Sequence, residues 1–209
     1  MDDLPDGVTH WDGPGLDAWH PWTPAEAAAH LEGFDAPWCV VGGWAIDLFL
    51  GEQTRAHDDL EIAILRADFS AVRRALNGFE LFVVGGGEVR ALPPDALPPD
   101  STHQNWVLDT DPYVWRMDVM LEPGDIETWT FRRDESIHAP RTFMVERTEE
   151  AIPFLAPHGV LMYKAKAARP KDEQDFSAVL PRLTRSGRLW LRNAIQRAHP
   201  GHPWIEQLG

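Results

Sequence analysis

The sequence predicts an α+β fold: a mixed β-sheet flanked by helices, followed by a small helical C-terminal portion. Three observations predict it. Leu60, Ile62 and Ile64 alternate with Asp59, Glu61 and Ala63, the period of a strand with one apolar face. Further short strand-like runs recur at 38–41, 79–84, 104–109, 113–121, 127–132 and 141–146. From about residue 157 the texture turns helical, with segments 158–168, 172–180 and 187–198 punctuated by Pro170 and Pro181. These observations place a sheet-bearing domain at 1–150 and a helical domain at 151–209.

Residues 1–22 mix Pro, Gly, Asp and Trp without periodicity and read as an extended arm packed by its tryptophans. Thr23-Pro24-Ala25-Glu26 is a capping box with Pro at the first helical position, so a helix should run to about Gly33. A short strand follows at Trp38–Val41, and Gly42-Gly43 ends it. Trp44–Leu50 then reads as a helix stopped by Gly51. Residues 67–77 look helical up to Gly78, Gly85-Gly86-Gly87 is a turn, and Leu92–Pro99, with four prolines, must be a loop.

A net charge of −14 argues against a polyanion as main partner, because nucleic-acid binding neutralises phosphates with clustered Lys and Arg. A cationic or neutral small substrate fits better. All the lysines, Lys164, Lys166 and Lys171, lie with Arg169 in one stretch, a local anion site within an acidic chain. The first residues do not resemble a signal peptide, and no apolar run approaches the roughly 18 residues of a membrane span. A cytoplasmic protein without a membrane partner is expected. The lone Cys39, in an apolar run, excludes a disulfide framework.

The chemistry concentrates in Gly42-Gly43-Trp44-Ala45-Ile46-Asp47 and Thr54-Arg55-Ala56-His57-Asp58-Asp59-Leu60-Glu61. Two glycines at a strand-to-helix junction let backbone N–H groups approach phosphate oxygens, and a helix N-terminus adds partial positive charge. Asp59 and Glu61, on one strand face, are the hard carboxylates that Mg²⁺ takes beside phosphate. Asp118 is a charged residue inside an apolar strand, a costly placement unless it is paired or metal-bound. If its strand lies beside that of Asp59, three carboxylates converge, able to hold two metal ions with one group near an attacking hydroxyl. Blander readings stand beside these: a plain turn at Gly42-Gly43, a solvated strand face for Asp59 and Glu61, and an ion pair of Asp118 with Arg116 or Arg55. Asp109 and Asp111 are alternatives for the third acid. Lys164 contacts phosphate or faces solvent.

In this order, glycine pair, acidic pair and strand-embedded third acid, the sequence resembles the polymerase-β-like nucleotidyltransferases, specifically the small aminoglycoside and lincosamide type. The likeness spans about residues 40–122 and continues weakly through Tyr163-Lys164-Ala165-Lys166 to Asp175. It departs at Glu61, where many members have Asp. The resemblance implies a Mg²⁺-dependent enzyme that uses two ions and ATP as donor, and moves a nucleoside monophosphate to a hydroxyl with release of pyrophosphate. Asp59, Glu61 and Asp118 would be catalytic and metal-binding, with Gly42, Gly43 and Lys164 on the nucleotide. The implied acceptor is an aminoglycoside, whose positive charges would suit surface carboxylates such as Glu88, Asp95 and Asp100. Alternatives are a lincosamide or other metabolite, a toxin- or antitoxin-type enzyme acting on protein or RNA, and a silent nucleotide-binding relative.

Overall fold

A computed structural model describes residues 9–209, so the first eight residues of the expected arm lie outside the described residues. The strands are β1 (His10–Trp11), β2 (Trp38–Val40), β3 (Glu61–Leu65), β4 (Glu80–Gly85), β5 (Glu88–Ala91), β6 (Gln104–Asp109), β7 (Val114–Glu122), β8 (Thr128–Thr130), β9 (His138–Pro140), β10 (Val145–Arg147) and β11 (Pro153–Leu155). The helices are α1 (Pro24–His30), α2 (Gly42–Leu50), α3 (Phe69–Ala75), α4 (Arg141–Met144), α5 (Pro157–Lys164), α6 (Pro170–Val179), α7 (Arg185–Ala198) and α8 (Trp204–Gln207). The chain divides into two compact units, residues 1–38 with 57–123 and residues 39–56 with 124–209.

The first unit is built on a mixed sheet in the order β1-β5-β4-β6-β7-β3. The outer pairs β1–β5 and β3–β7 are parallel, while the pairs between them are antiparallel. Ile62, Ile64, Val107, Met117 and Val119 are buried, as are Ala63 and Leu65 on the opposite face of β3. Both faces of β3 are therefore covered beyond its first residue, not one alone. Phe82, Val89, Trp106, Leu108 and Trp115 form a second apolar cluster, and Trp11, Ala18 and Trp19 of the arm pack against it. The Trp106 ring meets those of Trp11, Trp19 and Trp115 edge-on at 5.2–5.9 Å. Both Trp11 and Trp115 donate their indole N–H to the Pro14 carbonyl. The described part of the arm, from residue 9 on, thus packs into this unit's core. Its helix α1 starts as its sequence requires, with Thr23 and Glu26 exchanging capping hydrogen bonds.

In the second unit β2 runs parallel to β11, and β11 pairs antiparallel with β10. The segment 141–146 departs from the strand expected there, because its first four residues form α4 and only Val145 onward is extended. Helix α7 buries Gly187, Leu191, Ala194 and Ile195, one stripe at helical spacing. Trp204 lies flat on Phe176 at 4.2 Å and donates its indole N–H to Glu173, which fixes the C-terminal turn. Among the described residues, no helix is long and apolar enough to cross a membrane.

Candidate active site

Parallel pairing of β3 with β7 sets Glu61 and Asp118 side by side as register partners. Across the other edge of β7, Trp106 is the partner of Asp118. Paired residues project to the same sheet face, so Glu61, Asp118 and Trp106 form one row, and Gln104, two residues before Trp106, shares that face. Asp118 is 1% exposed. Gln104 donates to its Oδ2 at 2.6 Å, whereas its Oδ1 is buried without a hydrogen-bond partner. Burial, then repulsion from Glu61, pushes the Asp118 carboxyl well above the usual carboxylate range. The Gln104 hydrogen bond opposes that rise, Asp59 adds to it, and a weaker side-chain hydrogen bond from Trp106 opposes it. Asp59 itself is exposed, two residues before Glu61 and just outside the strand.

These residues fit a divalent cation. An orphaned buried carboxylate oxygen and carboxylates that repel one another both gain from a positive charge between them. Among the described residues, no three His, Cys, Asp or Glu side chains form a complete metal cage. Mg²⁺ needs none, because it is commonly held by one or two carboxylates and completes its octahedron with water and substrate phosphates.

Other candidates for the third acid are otherwise engaged. Asp109 accepts from Arg116 Nη2 at 3.0 Å and Nε at 3.1 Å. Arg116 is thereby tied away from Asp118, and Arg55 pairs with Asp175 at 3.5 Å. Asp111 is an exposed residue between β6 and β7. Of the surface carboxylates, Glu88 pairs with Arg90 at 3.2 Å, while Asp95 and Asp100 are exposed.

The glycine pair and Lys164 belong to the second unit. Gly42 has φ +66°, a left-handed conformation that a side chain would strain, and α2 starts there. Val41 at the N-cap supplies no side-chain hydrogen bond to the start of α2. Lys164 is buried between two aspartates, 3.1 Å from Asp172 and 2.8 Å from Asp175. Burial alone would raise the Asp172 carboxyl, but hydrogen bonds from Arg169 and Lys164 outweigh it and hold it below its ordinary value. Neither aspartate was singled out as a Lys164 partner by its sequence position, because Pro170 breaks the helical spacing between them and the lysine.

Residues 25–91, which include Gly42, Gly43, Asp59 and Glu61, match the family described as aminoglycoside-2''-adenylyltransferase. Over that segment, which carries the glycine pair and the first two acids, the chain is similar to this family. Solved structures share its fold. One is the lincosamide antibiotic adenylyltransferase LnuA bound to lincomycin, with 14% identity over 74% of this chain and 92% of that one and a TM-score of 0.51. Another is ANT(2'')-Ia in complex with adenylyl-2''-tobramycin, with 17% identity over 83% and 95% and a TM-score of 0.52. A solution structure of ANT(2'')-Ia gives 14% identity, 88% and 95% coverage and a TM-score of 0.53. No curated protein sequence matches the chain.

Proposed function

We propose that this protein is a nucleotidyltransferase that moves AMP from ATP to a hydroxyl of an aminoglycoside-like antibiotic and releases pyrophosphate. The observation that carries the reading is the pairing of Glu61 with Asp118, which gives two adjacent carboxylates and an unpartnered oxygen on one sheet face. Mg²⁺, as two ions, would supply charge neutralisation for the triphosphate and for the developing alkoxide. Asp59, Glu61 and Asp118 are its ligands in this reading. Asp118 Oδ1 accepts the proton of the acceptor hydroxyl, whose oxygen then attacks the α-phosphorus as pyrophosphate leaves. Gly42 and Gly43 place the first N–H groups of α2 against phosphate oxygens. Lys164 has three N–H donors. Asp172 and Asp175 engage it, and a remaining donor serves a phosphate oxygen.

The family matched by residues 25–91 and the net charge of −14 both support a polycationic acceptor. Nucleic acid and membrane are not partners in this reading, and the protein works in the cytoplasm. In this reading residues 1–150 are the catalytic domain with its N-terminal arm, and residues 151–209 are a helical domain that contributes Lys164. The likeness to LnuA supports a second acceptor class, the lincosamides.

The test is pyrophosphate release with MgATP, and separately MgGTP, across aminoglycosides and lincosamides, with Asp59→Asn and Asp118→Asn as controls. Release with one drug class that vanishes in both variants is the expected result. Nucleotide binding without release on any drug would overturn the antibiotic acceptor.

A further inference from the structure

Gln104 opens β6 and lies on the same sheet face as Asp118, 14 residues before it in sequence. It is only half-buried, yet its amide donates to Asp118 Oδ2 at 2.6 Å. The other carboxylate oxygen, Oδ1, has no hydrogen-bond partner. A carboxylate can rotate about its Cβ–Cγ bond, and a short hydrogen bond to one oxygen fixes which oxygen turns outward; Trp106 also acts on this carboxyl as a side-chain donor, more weakly than Gln104. Glu61 stands beside Asp118 on the opposite edge of β7 and carries no donor, so it cannot serve this purpose when ionised. The next residue of the row on the β6 side, Trp106, is wedged among Trp11, Trp19 and Trp115, which keeps the neighbouring stretch of β6 in place.

We infer that Gln104 is a positioning residue: it anchors Asp118 through Oδ2 so that Oδ1 alone faces the acceptor hydroxyl. This rests on the reading of Asp118 as the proton acceptor. Gln104 touches neither the nucleotide nor the acceptor in this arrangement, so its loss should act on turnover rather than on substrate affinity. Replacing a partner that orients a catalytic group commonly costs about 10- to 100-fold in activity.

The experiment measures kcat and KM for MgATP and for the responsive drug in the full chain. It compares wild type, Gln104→Met, Gln104→Glu, Asp118→Asn and the double variant Gln104→Met/Asp118→Asn. Gln104→Met keeps the length of the side chain and Gln104→Glu its shape, and both remove the amide donor. Thermal unfolding of each establishes that it is folded. The expected result is a loss of kcat of about 10- to 100-fold in both Gln104 variants with KM little changed. In the double variant the residual rate should equal that of Asp118→Asn alone, because a residue acting through Asp118 has nothing left to orient. A Gln104→Met rate within about twofold of wild type, or a further loss on top of Asp118→Asn, would overturn the inference, since an independent structural role gives additive effects. No turnover in the wild type with any drug overturns the underlying reading instead, and this inference with it.

Discussion

The backbone N–H of Asp118 donates to the carbonyl of Leu60 at 2.8 Å, and this one hydrogen bond carries β7 alongside the residue that precedes Glu61. Two acids 57 positions apart in the chain (118 − 61) thereby become neighbours. The cost is a buried carboxyl that burial and Glu61 both disfavour as a charge. A fold retains such a group when its function depends on it.

Asp118→Asn should therefore separate activity from stability. The general-base contribution predicts a fall in turnover of about 10²- to 10⁴-fold. In metal-free buffer the same variant should unfold at an equal or higher temperature than wild type, because Asn is free of the repulsion from Glu61 and Asp59. Pyrophosphate release and thermal unfolding on the same preparations check both, and a lowered midpoint would contradict the account of the site.

Lys164→Met removes the cation lodged between Asp172 and Asp175. Breaking a buried ion pair by removing one partner leaves the other uncompensated, at about 3 kcal/mol or more. Denaturant unfolding should show that loss. If Lys164 also reaches phosphate, the variant's KM for ATP rises while its KM for the drug does not.

His158 gives the fold an acid-sensitive point. Its ring is 4% exposed beside Phe143 and Trp190, and burial lowers its pKa from 6.5 to about 4. The unfolded chain therefore takes up a proton near pH 6.5 that the folded chain refuses until about pH 4. Stability from this group is complete above the unfolded value and is lost as pH falls towards the folded one. Between about pH 7.5 and about pH 5 wild type should lose on the order of 2 kcal/mol that His158→Phe does not lose. Urea unfolding of both proteins at the two pH values tests this.

Gly13→Ala probes the arm. A Cβ at this position would run into the Trp115 indole, which is fully buried. Overpacking of this kind costs about 1–3 kcal/mol. The midpoint of thermal unfolding should fall accordingly, and an unchanged midpoint would mean that the arm does not lie against Trp115 in solution.

Much of the architecture was legible in local chemistry. Thr23 and Glu26 announced α1, the alternation around Ile62 and Ile64 announced β3, and the run 104–109 coincides with β6. The strand β5 was missed although its signal was present: Gly86 and Gly87 both have positive φ, the requirement of a tight hairpin, so a second strand should follow them. Arg141–Met144 escaped because a short run ending in Phe143-Met144 has no period to separate helix from strand. For the candidate site, a charge amid apolar neighbours marked Asp118 ahead of Asp109 and Asp111, and the structure buries it. Gln104 carried no such mark, since a polar residue at the start of a strand is ordinary until the strand opposite is known. The partners of Lys164 were hidden because Pro170 interrupts the helical spacing between them and the lysine.

The parallel pairing of β3 and β7 leaves 48 residues between Leu65 and Val114 (66 to 113), enough for a helix, three strands and a proline-rich loop. None of those residues sets the spacing of Glu61 and Asp118, which depends only on which residue of one strand lies opposite which residue of the other. Insertions or deletions in the intervening loops change the surface that meets a ligand and leave the acidic pair where it is. Ligand preference can drift through loop length while the acidic pair stays fixed, so one scaffold can come to serve unrelated ligands.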